Sequence, residues 1–270
     1  MSGRLVVCAT PIGNLEDVTL RLLKTLRAAD VVACEDTRHT SGLLKRHAIS
    51  AKLVSYHEHN EARRAPELIA RIAAGETVAL VTDAGMPLVS DPGHVLVRDA
   101  VAAGLRIEVL PGPSAVVTAL VASALSAATW RFVGFLPRKA GELRALLDGA
   151  RETVVAFESP HRVAAALGVL AAVDPERPVA VCRELTKLHE EVVRGRAGEL
   201  AERYAITEPR GEIVLVVGPP PPAAADLQAA LDAVERLVAA GAKARPAAQV
   251  VAELTGAPAN ALYEGLLGRK

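Results

Sequence analysis

The sequence has few aromatic residues, few cysteines and no excess of either charge. Aromatic residues make up 3% of its 270 residues, although hydrophobic residues make up 51%. The cysteines, Cys8, Cys34 and Cys182, form no CxxC pair, so we expect reduced core thiols in a cytoplasmic protein. Lys plus Arg equals Asp plus Glu, at 31 each. Any contact with a nucleic acid would therefore have to come from a local patch of charge.

Long apolar runs and several common site motifs are also missing. No run reaches the roughly 18 to 20 residues that span a bilayer, and the apolar stretch from Leu5 to Ala9 is too short for the core of a signal peptide. The motifs GxGxxG, GxxxxGK, HExxH and GxSxG are absent. These absences argue against a membrane protein, a standard dinucleotide-binding dehydrogenase, a P-loop NTPase, a zincin and an α/β-hydrolase.

What the sequence does contain is an alternation of short apolar runs and helical patterns over residues 1–112. This alternation predicts right-handed crossovers and a largely parallel sheet. The predicted strands are Leu5 to Cys8, Val31 to Cys34, Leu53 to Tyr56, Val78 to Val81 and Ile107 to Leu110, and the predicted helices are Thr19 to Ala29, Ser41 to Arg46, Glu61 to Ala74 and Gly93 to Ala103.

A second α/β set follows the predicted hinge at Pro111-Gly112-Pro113. The segment from Glu191 to Gly195 reads as a strand and turn, which predicts a mixed second sheet. The other predicted strands are Phe132 to Val133, Thr153 to Phe157, Val179 to Cys182 and Ile213 to Val217.

The C-terminal part begins with a proline run, Pro219 to Pro222, which predicts a stiff spacer. Three helical patterns follow, Asp226 to Ala240, Pro246 to Leu254 and Pro258 to Leu267. The break between the last two resembles a helix-turn-helix. We therefore predict an α/β fold with two α/β domains, 1–112 and 113–218, and a small helical tail, 223–270.

Four loops rich in Gly, Pro and small polar residues follow predicted strands of the first sheet. Ligands of open α/β sheets bind beyond the carboxyl ends of the strands, so four such loops on one rim predict a ligand site there. The loops are Ala9 to Leu15, Glu35 to His39, Thr82 to Gly93 and Pro111 to Ala115.

Together with Glu158-Ser159-Pro160-His161-Arg162, these loops resemble the tetrapyrrole methylase superfamily, and within it the ribosomal RNA small subunit methyltransferase I family. The resemblance covers roughly residues 4–218. It implies two α/β domains with S-adenosylmethionine in the cleft between them, usually as a homodimer. It also implies methylation of the ribose 2′-hydroxyl of a cytidine in 16S rRNA of the small ribosomal subunit.

Two departures bear on the alternative, a tetrapyrrole or corrinoid precursor methyltransferase of the same fold. Members that act on tetrapyrroles typically carry GxGPGDP-like and GGDP-like loops, whereas this sequence has Asn14 in the first loop and Met86 in the second. Both departures favour the RNA branch. A third reading is an RNA-binding assembly factor that lost the chemistry, and the complete set of small-residue loops argues against it.

The cofactor contacts that the resemblance implies come from both predicted domains. Gly85 allows close backbone approach, Met86 offers a soft apolar surface, and Ser114 could cap the helix after it and aim its amides at a carboxylate. The full set is Pro11, Gly85, Met86, Val89, Ser114, Ala115, Phe157, Glu158, Pro160, Arg183 and Glu212.

A ribose hydroxyl is a weak nucleophile that needs a base or a polarising partner. The candidate catalytic residues are Asp36 and Arg38. Asp36 is the candidate base, and Arg38 would contact a substrate phosphate or oxygen, because a guanidinium matches phosphate geometry. An Asp36–Arg38 turn pair without a catalytic role is an equal alternative. His57 and His59 would face one side if they lay on a strand, but no further ligand suggests a metal site. The candidate RNA contacts are Arg38, His39, His57, Asn60, Arg138 and Lys139.

Overall fold

The computed structural model describes residues 3–221 and 227–268. The chain divides into two compact units, Met1–Pro219 and Pro220–Lys270. The first unit contains both sheets, which lie on either side of Pro111-Gly112-Pro113 in the sequence. The division of this unit into domains 1–112 and 113–218 remains a prediction.

The first sheet has five strands, all parallel, in the order β3-β2-β4-β1-β5, as the strand–helix alternation predicts. The inner strands are rich in Val, Leu and Ala and buried on both faces, as parallel strands covered by helices must be. The elements are β1 (Arg4–Cys8), α1 (Leu20–Ala28), β2 (Val31–Cys34), α2 (Thr37–Arg46), β3 (Leu53–Ser55), α3 (Glu61–Ala73), β4 (Thr77–Val81), α4 (His94–Ala102) and β5 (Arg106–Leu110).

The second sheet is mixed, with the order β6-β7-β10-β8-β9. Its β6 and β7 are parallel, while β10 runs antiparallel to both β7 and β8, and β9 antiparallel to β8. This confirms the predicted mixed sheet. The elements are α5 (Ala115–Ser123), β6 (Trp130–Phe135), α6 (Ala140–Gly149), β7 (Thr153–Glu158), α7 (Pro160–Val173), β8 (Pro178–Arg183), β9 (Glu191–Arg196), α8 (Ala197–Ile206) and β10 (Ile213–Val217).

Two details of the first sheet differ from the sequence-based expectation. Helix α2 begins at Thr37, four residues before the predicted Ser41, because the Asp36 carboxylate accepts a hydrogen bond from the Arg38 amide and caps the helix. His57 and His59 lie in the turn after β3 and not on a strand. The alternation of strand side chains therefore does not apply to them.

Each sheet has one large, fully buried polar side chain among its packed helices and strands. Beside the first sheet, the Tyr56 hydroxyl accepts a hydrogen bond from the Leu96 amide at 3.2 Å and donates one to Glu61 at 3.4 Å. Beside the second, the Arg177 guanidinium donates to three main-chain carbonyls, those of Leu147, Ala150 and Gly218. Both side chains join segments that are distant in sequence.

The second unit consists of α9 (Leu227–Ala239), α10 (Ala244–Thr255) and α11 (Ala259–Gly268) around a small apolar core. Gly256 ends α10 in the left-handed region, with a φ of 74°, so the predicted helical break is present. Of the proline run, Pro222 lies outside the described residues, as do residues 223–226 of the predicted tail. No described helix is long and apolar enough to cross a membrane.

Candidate active site

A cavity of about 390 Å³ lies where loops of the two sheets meet. The first sheet contributes the loop after β4, and the start of α5 adds a second wall. The second sheet contributes the carboxyl ends of β7 and β8 and, because β10 runs the other way, the start of β10. Nine of the eleven predicted cofactor contacts line this cavity: Gly85, Met86, Val89, Ser114, Ala115, Phe157, Glu158, Pro160 and Glu212.

Pro11 and Arg183 do not line the cavity, although a neighbour of each does. Pro11 is buried beside Ile12, whose side chain reaches the cavity. Arg183 follows Cys182 on β8, and successive side chains of a strand point to opposite faces. Its guanidinium turns away to Glu191, 3.2 Å from Nε, on the adjacent strand. Arg183 therefore lies outside the cavity lining, and its predicted cofactor contact stays a prediction.

Gly85 fixes the first wall of the cavity. It exchanges two main-chain hydrogen bonds with Thr10, of 2.9 and 3.1 Å, so the loops after β1 and β4 form a short antiparallel bridge. Its φ of 81° lies in a region that side chains with a Cβ rarely adopt. Gly85 therefore lets this backbone curve along the cavity.

Helix α5 presents its N-terminus to the cavity through Ser114, Ala115 and Val116. The amide groups of its first turn have no partners within the helix and favour an anionic ligand group. Ser114 occupies the cap position, but its side chain accepts no cap hydrogen bond, which corrects the expectation of a side-chain cap. The approach to the helix is tight, since a Cβ on Gly112 would lie 2.8 Å from that of Ala9.

Glu158 is the buried carboxylate of the second wall. Its Oε1 accepts the Ser159 amide at 2.7 Å and lies 3.2 Å from an Arg162 guanidinium nitrogen. Its Oε2 is buried and has no hydrogen-bond partner within residues 3–221 and 227–268. Burial raises the pKa of this carboxyl, against the lowering effect of the Ser159 amide and Arg162. The free oxygen can accept a hydrogen bond from a ligand.

Glu212 lines the cavity but is already paired. Lys187 reaches both Glu212, at 3.1 Å, and Glu184, at 2.8 Å. In the loop that contains Glu184 and Lys187, the Thr186 hydroxyl accepts a hydrogen bond from the Asn14 amide at 3.2 Å. These contacts join the loop after β1 to the second sheet on one side of the cavity.

Asp36 and Arg38, the predicted catalytic pair, do not line the cavity. Two hydrogen bonds, of 2.7 and 3.2 Å, join the Arg38 guanidinium to the Asp36 carboxylate. They are the main reason that the pKa of Asp36 falls to about 2. A carboxylate held in this way is a weak proton acceptor near neutral pH. The structure thus contains the turn pair that was the alternative to a catalytic role.

The predicted RNA contacts are divided between exposed and engaged side chains. Arg38, His39 and Arg138 are exposed, and Lys139 is exposed but pairs with Glu142 at 3.0 Å. Asn60 is occupied within the turn, where its Oδ1 accepts the His57 amide and its Nδ2 donates to the Ser55 carbonyl. Among the described residues, no group of three or more His, Cys, Asp or Glu side chains could hold a metal ion.

The predicted set lacks Asp91, a charged residue that lines the cavity. It belongs to the Gly/Pro-rich loop that the sequence singled out, between Ser90 and Pro92. Burial and the nearby Glu35 carboxylate raise the pKa of Asp91 to about 7. The only available sequence signal was an acidic residue within a ligand-rim loop, and that signal does not distinguish Asp91 from Asp83.

Comparison with known proteins shows the family of the chain. Residues 4–201 match the family model of the Tetrapyrrole (Corrin/Porphyrin) Methylases, which defines the class of the chain. A relative from Mesorhizobium japonicum named ribosomal RNA small subunit methyltransferase I is 47% identical over 98% of this chain and 92% of its own length. Another of that name, from Micromonospora olivasterospora, is 48% identical over 97% and 86%. The chain belongs to the ribosomal RNA small subunit methyltransferase I family.

Solved structures with the same fold include proteins named as methyltransferases. A uroporphyrin-III-C-methyltransferase from Thermus thermophilus is 27% identical with a TM-score of 0.57, covering 80% of this chain and 94% of its own. A cobalt precorrin-4 methyltransferase is 20% identical with a TM-score of 0.60, covering 80% and 94%. The second comparison bears on the fold alone. Both agree with the predicted tetrapyrrole methylase-like fold.

Proposed function

We propose that this protein transfers the methyl group of S-adenosylmethionine to the ribose 2′-hydroxyl of a cytidine in 16S rRNA of the small ribosomal subunit, in the cytoplasm. The observation that carries the proposal is the cavity between the two sheets, which collects nine of the predicted cofactor contacts. The names of the relatives at 47% and 48% identity support the RNA substrate.

The residues of the cavity fit the parts of this cofactor. The N-terminus of α5 suits its carboxylate, and the free Oε2 of Glu158 can accept a hydrogen bond from its ammonium or a hydroxyl group. Gly85 permits close backbone approach, and Met86 gives an apolar contact. When bound, the cofactor supplies an electrophilic methyl group. The protein contributes alignment and exclusion of water.

The RNA would be held by exposed side chains outside the cavity. Arg38, His39, Arg138 and Lys139 are available on the surface, and His57 and Asn60 lie in the turn after β3. Because the net charge is +0, one copy offers only local patches. A homodimer could combine two such patches into one basic surface. Sedimentation would test this, since a stable monomer that methylates at the full rate contradicts it.

The experiment that tests the proposed function has two steps. Calorimetric titration with S-adenosylmethionine should detect binding, and incubation with 30S subunits from cells that lack the modification should place label on a ribose 2′-oxygen. Binding without label on RNA contradicts the RNA substrate. Label on a corrinoid or porphyrin precursor would favour the alternative function, and no binding contradicts the methyltransferase proposal as a whole.

A matched pair of glycine variants tests whether the cavity is the cofactor site. Gly85→Ala places a Cβ at a φ of 81° and should weaken cofactor binding by about tenfold or more, the effect of roughly 1.4 kcal/mol of strain. Gly168→Ala is the control, because Gly168 is exposed on α7 with nothing within 4 Å of an added Cβ. Equal affinities of the two variants for S-adenosylmethionine would mean that the cofactor binds outside this cavity.

A further inference from the structure

Asp91 is a cavity-lining carboxylate to which neither the family resemblance nor the relatives' names assign a role. It lies in the loop between β4 and α4, on the same wall as Met86 and Val89. Its side chain is partly buried, and in the described part of the chain no lysine or arginine forms an ion pair with it. This environment differs from that of Asp36, which is fully engaged by Arg38.

Two carboxylates from neighbouring strand ends approach Asp91. Glu35 follows β2 and Asp83 follows β4. The negative charge of each raises the pKa of Asp91. Asp83 is held in place, because its Oδ1 accepts the Asp36 amide at 3.1 Å. His57, in the turn after β3, lowers the pKa of the Glu35 carboxyl. Asp91 therefore has two carboxylates nearby, and burial and these negative charges both raise its pKa.

The Thr82 hydroxyl faces the Asp91 carboxyl from the residue after β4. Thr82 is 1% exposed, and hydrogen bonding of its hydroxyl to the Asp91 carboxylate lowers the pKa of that carboxyl. This contact offsets part of the rise that burial and Glu35 cause. It also ties the Asp91 side chain to the end of a strand of the first sheet.

The proton affinity of Asp91 suits a base at neutral pH. Burial, and then Glu35, raises its pKa to about 7, whereas Arg38 lowers that of Asp36 to about 2. Catalytic bases work best when their pKa lies near the working pH. Asp91 also stands at the cavity wall, while Asp36 does not.

We propose that Asp91 is the proton acceptor for the hydroxyl that is methylated, an inference that rests on the proposed ribose 2′-O function. The oxygen–methyl bond forms as the sulfur–methyl bond breaks, and the sulfonium becomes a neutral thioether. The hydroxyl proton passes to the Asp91 carboxylate, which later releases it to solvent. Atoms and charge balance without a further reactant.

Single-turnover methyl transfer to 30S subunits, measured from pH 6 to 9, tests this role. The wild-type rate should rise about tenfold per pH unit below pH 7 and level off above it. Asp91→Asn should lower the rate at pH 8 by about 100-fold or more and remove the rise near pH 7. Glu35→Gln should keep a high plateau but shift the rise to lower pH, because it removes a negative charge that raises the pKa of Asp91.

Calorimetric titration of the same variants distinguishes a base from a cofactor contact. Asp91→Asn should bind S-adenosylmethionine within about threefold of the wild type, a change of under roughly 0.7 kcal/mol. A loss of affinity as large as the loss of rate, or an unchanged rate and pH profile in Asp91→Asn, would overturn the assignment. If wild-type enzyme labels ribose and only the Asp91 results differ from expectation, this inference alone fails. If the wild type places no label on ribose, the proposed function fails and this assignment with it.

Discussion

The two sheets reach the same cavity by different topologies. In the first sheet every strand is parallel, so the loops after β1, β2, β4 and β5 all emerge at one edge. In the second sheet, β7 and β8 end at the cavity while β10 begins there. In a parallel sheet, every loop that follows a strand lies at the same edge, so the order of elements in the sequence predicts where these loops lie. In a mixed sheet, the edge at which a loop lies also depends on which strands pair and in which direction.

The sheets also differ in the largest polar side chain that each buries among the described residues. The second sheet buries a guanidinium, Arg177, that satisfies three carbonyls, and the first buries the Tyr56 hydroxyl, with two polar partners. A charged donor with several buried acceptors contributes more than a neutral hydroxyl. Substitutions at these two positions should therefore have unequal effects, confined to different sheets.

The largest effect is expected from Arg177→Met. It leaves the carbonyls of Leu147, Ala150 and Gly218 buried without a donor, so the free energy of unfolding should fall by about 3 kcal/mol. Urea denaturation measures the loss, and hydrogen exchange should place it in the second sheet. Arg144→Met, on the exposed face of α6, should change stability by less than about 0.5 kcal/mol. Equal losses from both variants would contradict the role of Arg177.

A smaller effect is expected from Tyr56→Phe, which removes the hydroxyl that accepts the Leu96 amide. The free energy of unfolding should fall by about 1 kcal/mol, with faster exchange at the start of α4. Tyr204→Phe is the matched control, because Tyr204 is 6% exposed and packs beside the second sheet. Among the described residues its hydroxyl forms no hydrogen bond. If Tyr204→Phe costs as much, the Leu96 contact is not the cause.

The smallest expected effect is on the pH dependence of stability, and it has opposite signs for Asp91 and Asp36. The pKa of Asp91 is raised from 3.8 to about 7 in the folded protein, so stability falls as pH rises through this range. Asp91→Asn should therefore raise the melting temperature at pH 8 and leave it nearly unchanged near pH 4. The pKa of Asp36 is lowered from 3.8 to about 2, so its contribution is present above pH 3.8 and lost towards pH 2.

Asp36→Asn should accordingly lower the melting temperature at pH 8, the opposite of Asp91→Asn. Thermal unfolding of both variants at pH 4 and pH 8 provides the measurement. Shifts of the same sign at pH 8 would mean that the two carboxylates do not differ in environment as described.

Much of the first sheet could be predicted from the sequence. Fully buried strands read as continuous apolar runs, and both ends of β2 agree with the prediction to the residue. In the second sheet, the same is true of the fully buried β10. The start of α2 was misplaced because Thr37 to Thr40 carry no apolar periodicity, and the capping contact from Asp36 decides that helix end. Helix starts that depend on one side-chain hydrogen bond are hard to place from periodicity.

The candidate site was predicted unevenly, for physical reasons. Gly85 and Met86 were predicted from loop chemistry and family resemblance, and the structure places both in the cavity lining. Arg183 lies outside the cavity lining while its neighbour Cys182 lines it, because alternate residues of a strand face opposite sides and the register decides which of them meets the cavity. Asp91 was missed because its distinction from Asp83 and Asp36 comes from burial and from neighbouring charges on other strands.

The sequence by itself determined the α/β fold class and the position of a ligand rim, because strand–helix alternation and the order of the Gly/Pro-rich loops are local properties of the chain. It also indicated the family, through the resemblance that the residues of those loops carry. Only the tertiary structure decided which side chains share the cavity and which carboxylate can accept a proton near neutral pH. Proton affinity depends on burial and on charges brought together from distant segments, and the linear order of residues does not specify either.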